Sequence, residues 1–203
     1  MRRLISMACL CSIVVVLGCG GDDGGGPSDT AASLTAAGWT LFDQGEYDLA
    51  IDKFERALEL DADYADAFNG LGWSHSRLDL LADALEYFGM CVSNDPGLTE
   101  GYAGCAPVYR DYDTEPAHFD SAAAFASTAL TQEPGFEFSH ENSEFDWRDL
   151  RLIKAQSYYG LGEFLLAKAE VDALGGISLD PESEDFVEDL AAEIERLEGL
   201  YGG

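Results

Sequence analysis

The apolar positions of this chain fall into two regimes. Leu4 to Leu17 is an almost unbroken apolar run behind Met1-Arg2-Arg3. It is about 14 residues long, the size of a signal-peptide hydrophobic region and too short to span a bilayer. Gly20 to Ser28 then forms a polar, glycine-rich stretch whose composition gives a flexible tether. From Ala31 onward apolar residues recur at helical spacing. The last segment is the clearest: Phe186, Leu190, Ile194 and Leu197 share one face, with Glu184, Glu188, Glu195 and Glu198 opposite. Asp180-Pro181 reads as its N-cap and first turn.

The helical segments repeat. A shift of 34 residues brings Leu34 onto Phe68, Gly38 onto Gly72, Trp39 onto Trp73, Ala50 onto Ala84, Ile51 onto Leu85, Phe54 onto Phe88 and Asp61 onto Asp95. A fixed period of this length marks stacked supersecondary units that cannot bury their apolar faces alone. The window Gly45 to Asp61, and its copy Leu71 to Pro96, resemble the tetratricopeptide repeat (TPR). The resemblance implies an all-α fold over residues 29–203: a TPR-like right-handed superhelix of about four helical hairpins plus a C-terminal capping helix. A third copy is looser. Tyr102, Cys105, Ala106 and Tyr109 mark its first helix, Asp111 to Pro116 a long loop, and Phe119, Ala122, Ala126, Ala129 and Leu130 its second helix. Pro107 should kink or shorten the first of these. A fourth copy carries Ala155, Tyr158, Gly162, Phe164 and Ala167, and should stop at Gly175-Gly176.

Val16-Leu17-Gly18-Cys19 resembles the bacterial lipobox, with Val16 a mild departure from the commoner Leu. The resemblance implies a lipoprotein signal peptide over residues 1–18, acylation of Cys19, and an acylated tether over 19–28. Gly20, where Asp would retain such a protein in the inner membrane, implies a lipid anchor in the outer membrane, on its periplasmic face or at the cell surface.

Charge narrows the partners. The chain has 11 Lys plus Arg against 39 Asp plus Glu, a net charge of −28. Residues 1–18 hold Arg2 and Arg3 and no acid, so their removal leaves 9 basic against 39 acidic residues, or −30. Nucleic-acid binding is disfavoured, since it needs clustered Lys and Arg. An apolar fraction of 47% is too rich for a disordered acidic tail. His75, His118 and His140 are far apart, and no metal-ligand spacing, nucleophile elbow or nucleotide-binding glycine loop occurs. No catalytic residue, metal or cofactor is therefore expected. Cys91 and Cys105 fall on helices that should pack together. They are expected either to form a disulfide stapling hairpins two and three or to be two small buried thiols.

In TPR arrays the first helix of each hairpin lines the concave face, where extended or helical peptides lie. The resemblance places Thr35, Trp39, Phe42 and Asp43 there from the first hairpin, and Asp66, Asn69, Trp73 and Arg77 from the second. Arg110, Gln156 and Tyr159 follow from the third and fourth. Trp39 and Trp73 either anchor a partner or pack inward between helices. Chaperone-binding TPR domains clamp a C-terminal carboxylate at places held here by Thr35, Trp39, Gly70, Glu100 and Gly104, so no such clamp is expected. The function implied is a protein–protein interaction scaffold at the envelope, with outer-membrane or pilus assembly as settings. Its partner should be neutral and aromatic, or basic, because like charges across an interface are penalised. The alternative is a periplasmic module binding a glycan or small ligand through the aromatic groove. Between the third and fourth copies, Gly135 to Trp147 contains Phe136, Phe138, His140, Phe145 and Trp147. This insertion should be a strap giving the fourth hairpin extra core, or a projecting contact site, with Ser143 capping the next helix.

Overall fold

The computed structural model describes residues 29–112, 115–140 and 145–201. Among these, nine α-helices follow one another: α1 (Ala31–Phe42), α2 (Tyr47–Leu60), α3 (Ala65–Arg77), α4 (Leu81–Asn94), α5 (Thr99–Tyr112), α6 (Pro116–Gln132), α7 (Trp147–Gly160), α8 (Phe164–Ala173) and α9 (Phe186–Tyr201). The first eight pair in order as four hairpins, each packed on the next, and α9 lies against α7 and α8. The signal peptide, Cys19 and the tether lie outside the described residues, as does Ser143.

Local chemistry sets the helix ends. Thr30 opens α1 with a reciprocal capping box, its hydroxyl accepting from the Ser33 N–H and the Ser33 hydroxyl accepting from the Thr30 N–H. The turn between α1 and α2 passes through Gly45 at φ 76°, and the equivalent turn one period later uses Asp79 at φ 61°. Both positions need a left-handed backbone, which Gly adopts freely and Asp tolerates better than most residues. The hairpins join through aromatic wedges: Phe54 sits against Gly38 and Gly70, and Phe88 against Gly72 and Gly104. The spacing of 34 residues recurs in all three members of this joint.

The core has two parts. One runs through hairpins one to three and includes Leu150 and Ile153 of α7. The other lies between the fourth hairpin and α9, built from Leu152, Ala155, Ala167, Val171, Leu190, Ile194 and Leu197 with neighbours. The capping role of α9 follows from that burial.

Three local expectations need correction. Pro107 does not shorten α5, which runs from Thr99 to Tyr112 through it. Asp180-Pro181 does not begin α9. The Asp180 carboxylate accepts from the Glu182 N–H at 3.0 Å and its carbonyl from the Ser183 N–H at 3.1 Å, so it closes a turn, and the helix starts at Phe186. The N-cap of α7 is Asp146, paired in a capping box with Asp149.

Candidate functional site: the concave groove

The first helices of the hairpins also touch successively, α1 to α3, α3 to α5 and α5 to α7, and so form the inner layer of the array. Side chains one turn apart on these helices share a face. On α1 that face carries Thr35 and Trp39, and on α3 Asn69 and Trp73. Neighbouring first helices are tied across it: Trp39 Nε1 donates to Asp66 Oδ1 at 3.0 Å, and Asn69 Nδ2 donates to Glu100 Oε2 at 2.8 Å. Burial raises the pKa of Glu100, partly offset by that Asn69 bond.

This face is not empty. Residues 135–140 run over it, extended from Phe136 to Ser139 between a turn and a bend. Phe136 and Phe138 are buried while Glu137 and Ser139 are exposed, the two-residue alternation of a strand. Phe138 stacks on Trp73 with ring centroids 4.2 Å apart, and meets Trp39 and Phe42 edge-on. His140 stacks on Trp39 at 4.0 Å, nearly parallel, and its Nδ1 lies 3.2 Å from Asp43 Oδ1. The returning chain holds the segment: Phe138 N–H donates to the Phe145 carbonyl at 3.0 Å, and Trp147 N–H to the Phe136 carbonyl at 2.8 Å. The insertion is thus a strap. Its aromatic residues reach the first and second hairpins, rather than serving the fourth alone.

Beyond the strap the groove opens into a cavity of about 670 Å³ between α3, α5 and α7. Trp73, Arg77, Arg110, Phe145, Asp149 and Glu198 are among its walls. Arg77 lies over the Trp73 ring at 5.5 Å. Arg110 is committed to Asp111 through two bonds of 2.7 and 2.9 Å, and donates to Gln156 Oε1 at 3.2 Å. Asp149 is raised from 3.8 to about 6, chiefly by burial and further by the Asp146 charge.

Comparison with known proteins agrees with this architecture. The family model for the TPR repeat matches residues 38–79. Crystal structures of MamA superpose with a TM-score of 0.58 at 18% identity, over 84% of this chain and 81% of that one, and with 0.55 at 19% over 84% and 76%. A thermophilic TPR protein from Thermus thermophilus gives 0.56 at 21% identity, over 85% and 83%. The fold is a TPR-like superhelix. A search of curated proteins found no match.

Within this TPR-like array the expected groove residues divide into three sets and one outlier. Thr35, Trp39, Phe42, Asn69 and Trp73 are buried, so the open aromatic platform that a glycan would stack on is covered. Trp73 also lines the open cavity, against Arg77 and with Arg110 in the same wall, Gln156 being attached through Arg110. Asp43 and Asp66 are the acid partners of His140 and Trp39. Tyr159 stands apart, edge-on to Phe164 and donating to the Val187 carbonyl at 3.4 Å beside α9. Asp79, Asp149 and Glu198 were not anticipated as lining residues. The Asp146-x-x-Asp149 spacing marks a helix start, but it says nothing about a cavity.

The expected staple between hairpins two and three is not formed, because Cys91 and Cys105 are both free and buried. Burial pushes the Cys91 thiol up to about 12 and the Cys105 thiol higher still. Cys91 Sγ packs where a Cβ on Gly101 would stand, 2.7 Å away.

Proposed function

We propose that this chain is an envelope-anchored scaffold, acylated at Cys19 and tethered by residues 20–28, that holds a segment of a partner protein in its concave TPR groove. The observation that carries the reading is the cavity between α3, α5 and α7, where Trp73, Phe145, Arg77 and Arg110 meet at the end of the strap. TPR repeats generally serve as non-catalytic scaffolds, and a concave face with an aromatic wall and flanking charges suits a peptide. Arg110 is consumed by Asp111, whereas Asp149 and Glu198 bring negative charge to the walls. A neutral aromatic or basic segment therefore fits better than an acidic one. The lipobox residues Val16-Leu17-Gly18-Cys19 support anchoring at the outer membrane, with outer-membrane or pilus assembly as the setting.

In-cell cross-linking of the tagged protein with mass spectrometry tests the reading. Glu198→Arg, which reverses a charge on the cavity wall, should lose the partners that the unaltered protein captures, and an unchanged partner set would overturn the groove assignment. Cys19→Ala should release the protein from membranes, and unaltered membrane partition would remove the anchor.

A further inference from the structure

We propose that residues 135–140 are an internal stand-in for the partner segment. The site beneath them takes an extended stretch of another protein in which an aromatic residue is followed two positions later by a basic one. This inference rests on the scaffold reading above and specifies its ligand.

The strap shows what the face accepts. It lies extended, with Phe136, Phe138 and His140 directed to one side. Phe138 fills the space between Trp39, Phe42 and Trp73, and His140 reaches Asp43. The surrounding carboxylates are Asp43 at the C-terminal end of α1, Asp66 on α3 and Glu100 on α5. A Lys or Arg at the His140 place would bring permanent positive charge to that acidic rim.

The fit of the strap is incomplete. Trp73 Nε1, under the Phe138 ring, is buried with no hydrogen-bond partner, as are Asn69 Oδ1 and Thr35 Oγ1. Asn69 lies one turn before Trp73, and Thr35 one turn before Trp39, on the stripe that the strap crosses. Buried polar atoms normally find partners, and leaving them unpaired is costly. The floor thus has hydrogen-bonding capacity that its internal occupant leaves unused. Trp73 and Phe145 contact each other and also wall the open cavity, so the strap seat and the cavity form one continuous lining.

The test uses the full-length protein in detergent and a fluorescent synthetic peptide of residues 134–140. Phe138→Ala and His140→Ala weaken the internal occupant. Each should bind the peptide about tenfold or more tightly than the unaltered protein, because an internal competitor reduces apparent affinity by the fraction of sites it fills. Replacing the peptide's His by Lys should tighten binding, and replacing both of its Phe residues by Ala should abolish it. Equal binding to all three proteins overturns the inference, and so does no binding to either variant with helicity unchanged. His140→Ala, at the partly exposed edge, carries the test if Phe138→Ala unfolds. Dimerisation of the variants with loss of peptide binding would replace the inference by exchange of this segment between two copies. Absence of peptide binding with the cellular cross-links intact removes this inference and leaves the scaffold reading standing. Peptide binding without a cellular partner would show that the seat retakes only its own sequence, and overturns the inference together with the scaffold reading.

Discussion

A Cβ added to Gly70 would stand 2.2 Å from Cζ of Phe54. One period later, a Cβ on Gly104 would stand 2.3 Å from Cζ of Phe88. Each ring is pressed from a second side by Gly38 or Gly72, so it has no free direction in which to retreat. An alanine in a helix normally gains about 1 kcal/mol over glycine. Overpacking here costs about 1–3 kcal/mol and outweighs it. Gly70→Ala and Gly104→Ala should each lower stability in urea. Gly89→Ala in α4, where an added Cβ meets nothing within 4 Å, should raise it by about 0.5–1 kcal/mol. If Gly70→Ala and Gly89→Ala changed stability in the same direction, the wedge account would fail.

This joint explains why the repeat was legible. A close helix–helix approach against one ring demands small residues and an aromatic at fixed offsets, so the demand recurs as Gly38 and Gly72, Phe54 and Phe88. The strap was legible only as a need to bury aromatics. Nothing local states that His140 will meet Asp43, 97 positions earlier in the chain. Thr35 and Trp39, and one period later Asn69 and Trp73, share the inner stripe for the same periodic reason. Their burial depended on an insertion whose destination the period does not encode. At helix starts the ambiguity was chemical. Asp146 and Ser143 are both N-cap residue types, and Asp180 closes a turn with the same carboxylate that would cap a helix.

Glu170 on α8 gathers two cations from α7, with Arg151 Nη1 at 2.8 Å and Lys154 Nζ at 2.5 Å. The Glu170 and Lys154 side chains are 12% and 13% exposed, and that of Arg151 is 31% exposed. Removing the shared carboxylate leaves a largely buried ammonium without its partner. Glu170→Ala should cost about 2–4 kcal/mol in chemical denaturation. Arg151→Ala, at the wetter arm, should cost about 1 kcal/mol or less. Equal losses would show that the Arg151 arm carries the triad and that the buried Lys154 arm adds nothing.

Cys91 and Cys105 should behave as inert core residues. Their thiols are buried and held well above the ordinary range, so little thiolate exists at pH 8. Alkylation of the native protein, read by mass spectrometry on the peptides carrying these two residues, should leave both unmodified. Guanidinium should expose both to complete modification. A peptide pair joined through Cys91 and Cys105 in the non-reduced protein, or fast native alkylation of either thiol, would contradict the packing described.

Asp149 should give the array a pH dependence of identifiable sign. Its carboxyl is raised from 3.8 to about 6, mainly because burial disfavours the charged form. The folded state therefore holds its proton more tightly than the unfolded chain. Its contribution to stability is full below about pH 4, falls as pH rises, and is lost above about pH 6. The shift corresponds at most to about 3 kcal/mol, reduced by partial solvent access to about 1–2 kcal/mol. Asp149→Asn keeps an oxygen that can accept from the Asp146 N–H, the bond that completes the capping box. The variant should match the unaltered protein at pH 4 and exceed it by about 1–2 kcal/mol at pH 7.5, measured by urea unfolding at each pH. Acidification also relieves the repulsion of an excess-acid chain, but that relief acts almost equally on both proteins and cancels in the difference. Asp149→Ala, which loses the acceptor as well, should give up about 1 kcal/mol of capping relative to Asp149→Asn at every pH. A gap between the unaltered protein and Asp149→Asn that did not change between pH 4 and 7.5 would mean that the Asp149 carboxyl titrates as an ordinary surface acid.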